Sequence, residues 1–125
     1  MNRSRELYEL GRELMQAGDI AAATVQFEES IRAWPHFKTL ELLGECFIKL
    51  GRLQDAIVPL AAATTLNRGT RAPSLLAETF LALGEHHDAF EAAELALQRD
   101  PSNRRALAVK RATSEEQSPG NHVKP

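Results

Sequence analysis

Apolar residues fall at three- and four-residue steps along most of this chain. Leu7, Leu10, Gly11 and Leu14 occupy positions i, i+3, i+4 and i+7, which places them on one face of a helix. Leu40, Leu43, Gly44 and Phe47 repeat that face. A second kind of face follows each first one: Ala23, Phe27, Ser30 and Ile31, then Ala56, Leu60, Ala63 and Thr64. Gly18 and Gly51 stand between the two faces, and glycine after a helix readily takes the left-handed conformation that ends it. Pro35 and Pro101 stop later helices, because proline disfavours helix in the residue before it. The pattern predicts helices over 5–17, 20–33, 38–50, 53–66, 72–83, 86–99 and 102–113, with 53–66 held through Pro59 by the packing of its apolar face.

The faces recur with a fixed period. Gly18, Gly51 and Gly84 are 33 residues apart. The same step joins Leu10, Leu43 and Leu76; Gly11, Gly44 and Ala77; Leu14, Phe47 and Phe80; Ala23, Ala56 and Ala89; and Ser30, Ala63 and Ala96. The chain therefore holds three copies of one helix pair, over 4–36, 37–69 and 70–102. The small residues have a packing reason: Gly11, Gly44 and Ala77 let the second helix of each pair approach closely. A helix pair of this kind leaves an apolar outer side that the next pair or a cap must cover.

These residues resemble the tetratricopeptide repeat, whose pattern is a large residue, x₂-L-G-x₂-Y, then A-x₃-F, then P. The first copy reads Leu7, Leu10, Gly11, Leu14, then Ala23, Phe27 and Pro35. The second reads Leu40, Leu43, Gly44, Phe47, then Ala56 and Leu60, with Arg68 at the proline site. The third reads Pro73, Leu76, Ala77, Phe80, then Ala89, Ala93 and Pro101. The chain departs from the family in its leading Leu, Leu and Pro where the pattern has Trp, and in a period of 33 rather than 34. The resemblance implies an all-α fold, an α-solenoid of three hairpins plus a C-terminal capping helix, forming one domain over 1–113. Ser102 is the expected N-cap of the last helix, and Ala106 and Val109 carry its apolar stripe. The polar stretch 114–125 is expected to be a disordered tail.

Composition narrows the function. The chain has 125 residues, a net charge of -2 and one cysteine. Near-neutral charge speaks against a general nucleic-acid binder. A lone Cys46 can make no internal disulfide and no Cys-based zinc site. The apolar runs are far too short to span a membrane, and the opening MNRSRELYEL has no apolar leader core, so a cytoplasmic setting is expected. No nucleophile, phosphate-loop or zinc-protease motif is present, so no enzyme, cofactor or metal is expected. His86 and His87 are adjacent and diverge by about 100° on a helix, which makes shared ligation awkward. Arg99, Arg104, Arg105, Lys110 and Arg111 make the capping region basic.

The resemblance implies that the first helices line a concave groove, with groove-facing sites one residue after the apolar seam. Those sites are Tyr8, Arg12 and Met15; Glu41, Glu45 and Ile48; and Ser74, Glu78 and Leu81. Met15, Ile48 and Leu81 form an apolar column. Some members of the family clamp a C-terminal carboxylate with Lys, Asn and Arg. Here the clamp positions hold Tyr8, Arg12, Leu42, Arg71 and Leu75, so that clamp is not expected. Spacing alone adds Arg5, Lys38, Arg71 and Arg104, cations at one step of four successive first helices, where the positive end of the helix dipole disfavours them. They suggest a rail for acidic groups. The expected function is non-enzymatic binding of a partner protein's peptide or helix in the groove, as an adaptor, co-chaperone or dedicated chaperone. The alternatives are a self-associating assembly protein and a nucleic-acid-associated regulator working through the basic cap.

Overall fold

The structure, a computed structural model, describes residues 2–117. It contains α1 (Arg3–Gln16), α2 (Ile20–Ala33), α3 (Phe37–Lys49), α4 (Leu53–Leu66), α5 (Arg71–Ala82), α6 (His86–Arg99) and α7 (Arg104–Gln117), with no strand among the described residues. The chain divides into two compact units, Met1–Asn67 and Arg68–Pro125. In the first, α1 packs on α2, α2 on α3 and α3 on α4; in the second, α5 packs on α6, and α7 on both.

Each first helix ends in the same way. Gly18, Gly51 and Gly84 have φ of 87°, 75° and 81°. That conformation is strained for any residue with a Cβ. It lets the next amide reach back five residues: Asp19 N to Leu14 O at 2.9 Å, Arg52 N to Phe47 O at 2.8 Å, Glu85 N to Phe80 O at 2.9 Å. The glycine amides close the inner bonds, to Met15, Ile48 and Leu81 carbonyls at 3.0 Å each. These are three copies of the Schellman end.

Within each hairpin the core is built on a small residue facing a larger one. A Cβ added at Gly11 would sit 2.5 Å from Phe27 Cε1, and one at Gly44 would sit 2.6 Å from Leu60 Cγ. Phe27, Leu60 and Ala93 share one repeat step, as do Gly11, Gly44 and Ala77, and all of these are buried. Leu10 is 42% exposed although its counterparts Leu43 and Leu76 are only 6% and 8% exposed. Leu43 has α2 ahead of it, whereas among the described residues no helix precedes α1.

Two expectations change at the C-terminal end. Asn103, not Ser102, caps α7: its Oδ1 accepts from Ala106 N at 2.9 Å. Ser102 instead turns its hydroxyl to Asp100 Oδ1 at 2.8 Å. The last helix also continues through residues 114–117 of the expected tail; 118–125 lie outside the described residues. Ala106, Val109 and Thr113 are buried against the rest of their unit, as a covering helix requires. α4 runs through Pro59 without a break.

The glycine contact can be tested directly. Gly44→Leu should lower the denaturation midpoint by the equivalent of about 1–3 kcal/mol, the cost of overpacking a filled contact. Chemical denaturation followed by far-ultraviolet circular dichroism measures it; an unchanged midpoint contradicts the packing.

Candidate functional site

The amino ends of α1 and α3 form the walls of a cleft of about 420 Å³ in the first unit. From α1 come Asn2, Ser4, Arg5, Tyr8 and Glu9; from the α2–α3 joint come Trp34 and His36; from α3 come Lys38 and Thr39. The joint is fixed by a buried pair. Ser30 Oγ donates to the Ser4 carbonyl at 2.6 Å, while Ser4 Oγ lies 3.1 Å from the Ser30 carbonyl and 3.2 Å from that of Trp34. His36 Nδ1 accepts from Lys38 N at 3.2 Å, capping α3, and its ring stacks on Phe37 with centroids 4.9 Å apart. Tyr8 is half-buried beside Phe27, with centroids 6.2 Å apart, and the Arg12 guanidinium lies 5.9 Å from the Tyr8 ring centroid. Trp34 is 67% exposed.

The cleft is electropositive. Arg5 and Lys38 make no ion pair among the described residues, and neither α1 nor α3 ends its first turn in an excess of acid: α3 has none there and α1 only Glu6. Glu9, the one acid on the wall, lies 3.9 Å from Arg12.

A second cleft, of about 270 Å³, lies in the second unit between the amino ends of α5 and α7. Thr70, Arg71, Ser74, Asn103, Arg104 and Arg105 line it. Four of these stand 66 residues after Ser4, Arg5, Tyr8 and Lys38 of the first cleft. Of the four cations expected at one repeat step, Arg5 and Lys38 line the first cleft and Arg71 and Arg104 the second.

The other expected site residues divide. Met15, Ile48 and Leu81 are half-buried, as are Glu45 and Glu78. Arg12 is exposed, and Glu78 pairs with Arg105 at 3.6 Å. Glu41 and Ser74, expected to face a groove, are both buried, though Ser74 still lines the second cleft. The Ser74 hydroxyl donates to Thr70 O at 2.6 Å and lies 3.1 Å from Asn103 Oδ1, so it ties α5 to the cap of α7. Tyr8, at the same repeat step, packs beside Phe27 and also lines the first cleft. Trp34, His36 and Thr39 were not among the expected residues. Trp34 stands immediately before Pro35 at the joint between two copies, a place that helical periodicity does not weigh.

Among the described residues no cluster of three or more His, Cys, Asp or Glu could hold a metal ion, and no helix is long and apolar enough to cross a membrane. His87 pairs with Glu91 at 3.3 Å, and His86 Nδ1 is buried with no hydrogen-bond partner. The basic cap is partly neutralised, with Lys110 Nζ 2.8 Å from Glu94 and Arg105 near Glu78. Cys46 is buried, and burial pushes its thiol from 9.0 up to about 11, against the opposing effect of a hydrogen bond with Thr24. A thiol held protonated is a poor nucleophile.

The sequence profile of the tetratricopeptide repeat matches residues 8–73, more than half of the chain, and the chain belongs to that family. Its fold class is the all-α solenoid of helical hairpins. No curated protein matches the sequence. Solved structures resemble it in fold. The first tetratricopeptide domain of Spaghetti (RPAP3), bound to the HSP90 peptide SRMEEVD, is 22% identical with a TM-score of 0.83, over 91% of this chain and 92% of that one. The Sgt2 domain from Aspergillus fumigatus is 16% identical with a TM-score of 0.82, over 100% and 86%. The Yersinia enterocolitica type III secretion chaperone SycD, in complex with a peptide of the translocator YopD, is 21% identical with a TM-score of 0.81, over 90% and 92%.

The thiol yields a pH prediction. The unfolded chain loses the Cys46 proton near 9.0 while the folded chain keeps it to about 11. Above 9.0 the unfolded state binds fewer protons, so this group's contribution falls as pH rises from about 9 to about 11 and then levels. At pH 8 Cys46 should react with a thiol reagent far more slowly in the folded protein than in denaturant; equal rates would show it accessible.

Proposed function

We propose that this chain is a non-catalytic binding module that holds a segment of a partner protein against the faces of its first helices, in an adaptor or chaperone role. One observation carries the reading. Met15 and Ile48 stand at the same step of α1 and α3, and both are half-buried rather than sealed like the seam residues Leu7, Leu40 and Leu43. An apolar position left partly open on two neighbouring hairpins provides a place where a partner's side chains can lose water. Methionine adapts readily to varied partner surfaces.

The comparisons support this reading at the level of fold. Two proteins of similar fold hold peptides, one from HSP90 and one from the translocator YopD.

Ile48→Glu tests the reading, because a charge at that step would have to be buried under the partner. Affinity capture from the native host, with bound proteins identified by mass spectrometry, should lose its specific partner by at least about tenfold, which corresponds to roughly 1.4 kcal/mol. Helicity and melting temperature should stay at the parent values. Unchanged capture, or unfolding of the variant, would place Ile48 outside the binding face.

A further inference from the structure

The cleft between the amino ends of α1 and α3 combines two features that point to one kind of occupant. Arg5 and Lys38 line it without an ion pair among the described residues, next to two helix amino ends whose dipoles add positive potential. Trp34, held at the joint through its own backbone and 67% exposed, supplies an open aromatic surface beside them. Cations without ion pairs and an exposed aromatic ring are both poorly placed for stability and well placed for recognition. We propose that this cleft docks an internal acidic segment of a partner protein, with carboxylates between Arg5 and Lys38 and a neighbouring aromatic side chain against Trp34.

Three observations choose that occupant. Of the positions at which the resemblance puts a carboxylate clamp, held here by Tyr8, Arg12, Leu42, Arg71 and Leu75, only Tyr8 lines this cleft, so the cleft is a different place from one built around a chain end. Glu9 stands on the wall, which opposes a continuous phosphate backbone but leaves room for discrete carboxylates. The corresponding cleft of the second unit keeps paired cations, Arg71 and Arg104, but has Ser74 where Tyr8 stands and Asp100 two repeats on from Trp34. The aromatic half of the recognition thus belongs to the first unit alone.

The inference rests on the reading of the chain as a module for protein segments, but not on the apolar step at Met15 and Ile48. Trp34 is the only tryptophan, so its emission reports the cleft itself, and the two readings can fail separately. The probe is a short end-blocked peptide in which one phenylalanine is flanked by glutamates, titrated into the full chain at low salt. It should shift Trp34 emission saturably, and the shift should weaken as salt rises. The matching glutamine peptide should bind about tenfold more weakly or worse. Arg5→Glu with Lys38→Glu should remove the response, while Arg32→Glu, a charge change on the exposed end of α2, should retain it. If the double variant does not keep its helicity, Lys38→Gln is read in its place and should weaken binding. An equal response to the glutamine peptide overturns the proposal, as does an unchanged response in a folded Arg5/Lys38 variant. An equal response to inorganic phosphate or to a short oligothymidylate overturns it too, in favour of a general anion site or a nucleic-acid site.

Discussion

The structure depends on helices that approach each other more closely than side chains normally allow. Where Gly11 meets Phe27 and Gly44 meets Leu60, the missing Cβ is the space the opposing side chain fills. The contact sets how the two helices of a hairpin lie, and so which residues face inward. Phe27 and Leu60 are fully buried there, and the seam residues Leu7, Leu40 and Leu43 are buried as well. Ala77 and Ala93 hold the same two repeat steps in the third copy, and both are fully buried. Turns, caps and clefts all follow from where these crossings place the helix ends.

Much of the fold was legible because its determinants are local and periodic. The 33-residue step of Gly18, Gly51 and Gly84 marked the helix ends that positive φ then confirmed. α2, α4 and α6 begin and end at the expected residues, and the other starts moved by one or two. The miss at Ser102 has a simple cause. Ser102 and Asn103 are both good caps, and Asp100 draws the serine hydroxyl back into the turn, leaving Asn103 to cap. The extension of α7 was hidden because residues 114–117 are polar, and apolar periodicity carries no signal where a helix has no face to bury.

The candidate site was less legible. Arg5 and Lys38 were found because cations recur where helix dipoles disfavour them, a conflict that a single sequence displays openly. Trp34 was not found, since a joint between repeats has no period to break. Glu41 and Ser74 are more buried than expected for a related reason. A one-residue offset from the seam turns a side chain by about 100°, and whether that points outward depends on the rotation of each helix against its neighbours. For Ser74 the hydrogen bonds to Thr70 and Asn103 show which way it went.

The buried pair of Ser4 and Ser30 bears on how such a chain can change over time. In the later copies the Ser30 step is Ala63 and Ala96, while the Ser4 step is Phe37 and Thr70. The two serines satisfy each other across α1 and α2, as Gly11 and Phe27 fit each other in shape. Exchanging one helix between copies would remove the contact between the two hydroxyls, 3.2 Å apart, and would put Phe37 or Thr70 where Ser4 fits beside Ser30, or Ala63 or Ala96 where Ser30 fits beside Ser4. Exchanging both helices together would keep each match. Despite its regular period, the sequence is therefore modular only at the grain of the hairpin, and recombination or grafting should cut at the joints beside Pro35 and Pro101 and not at the glycine turns.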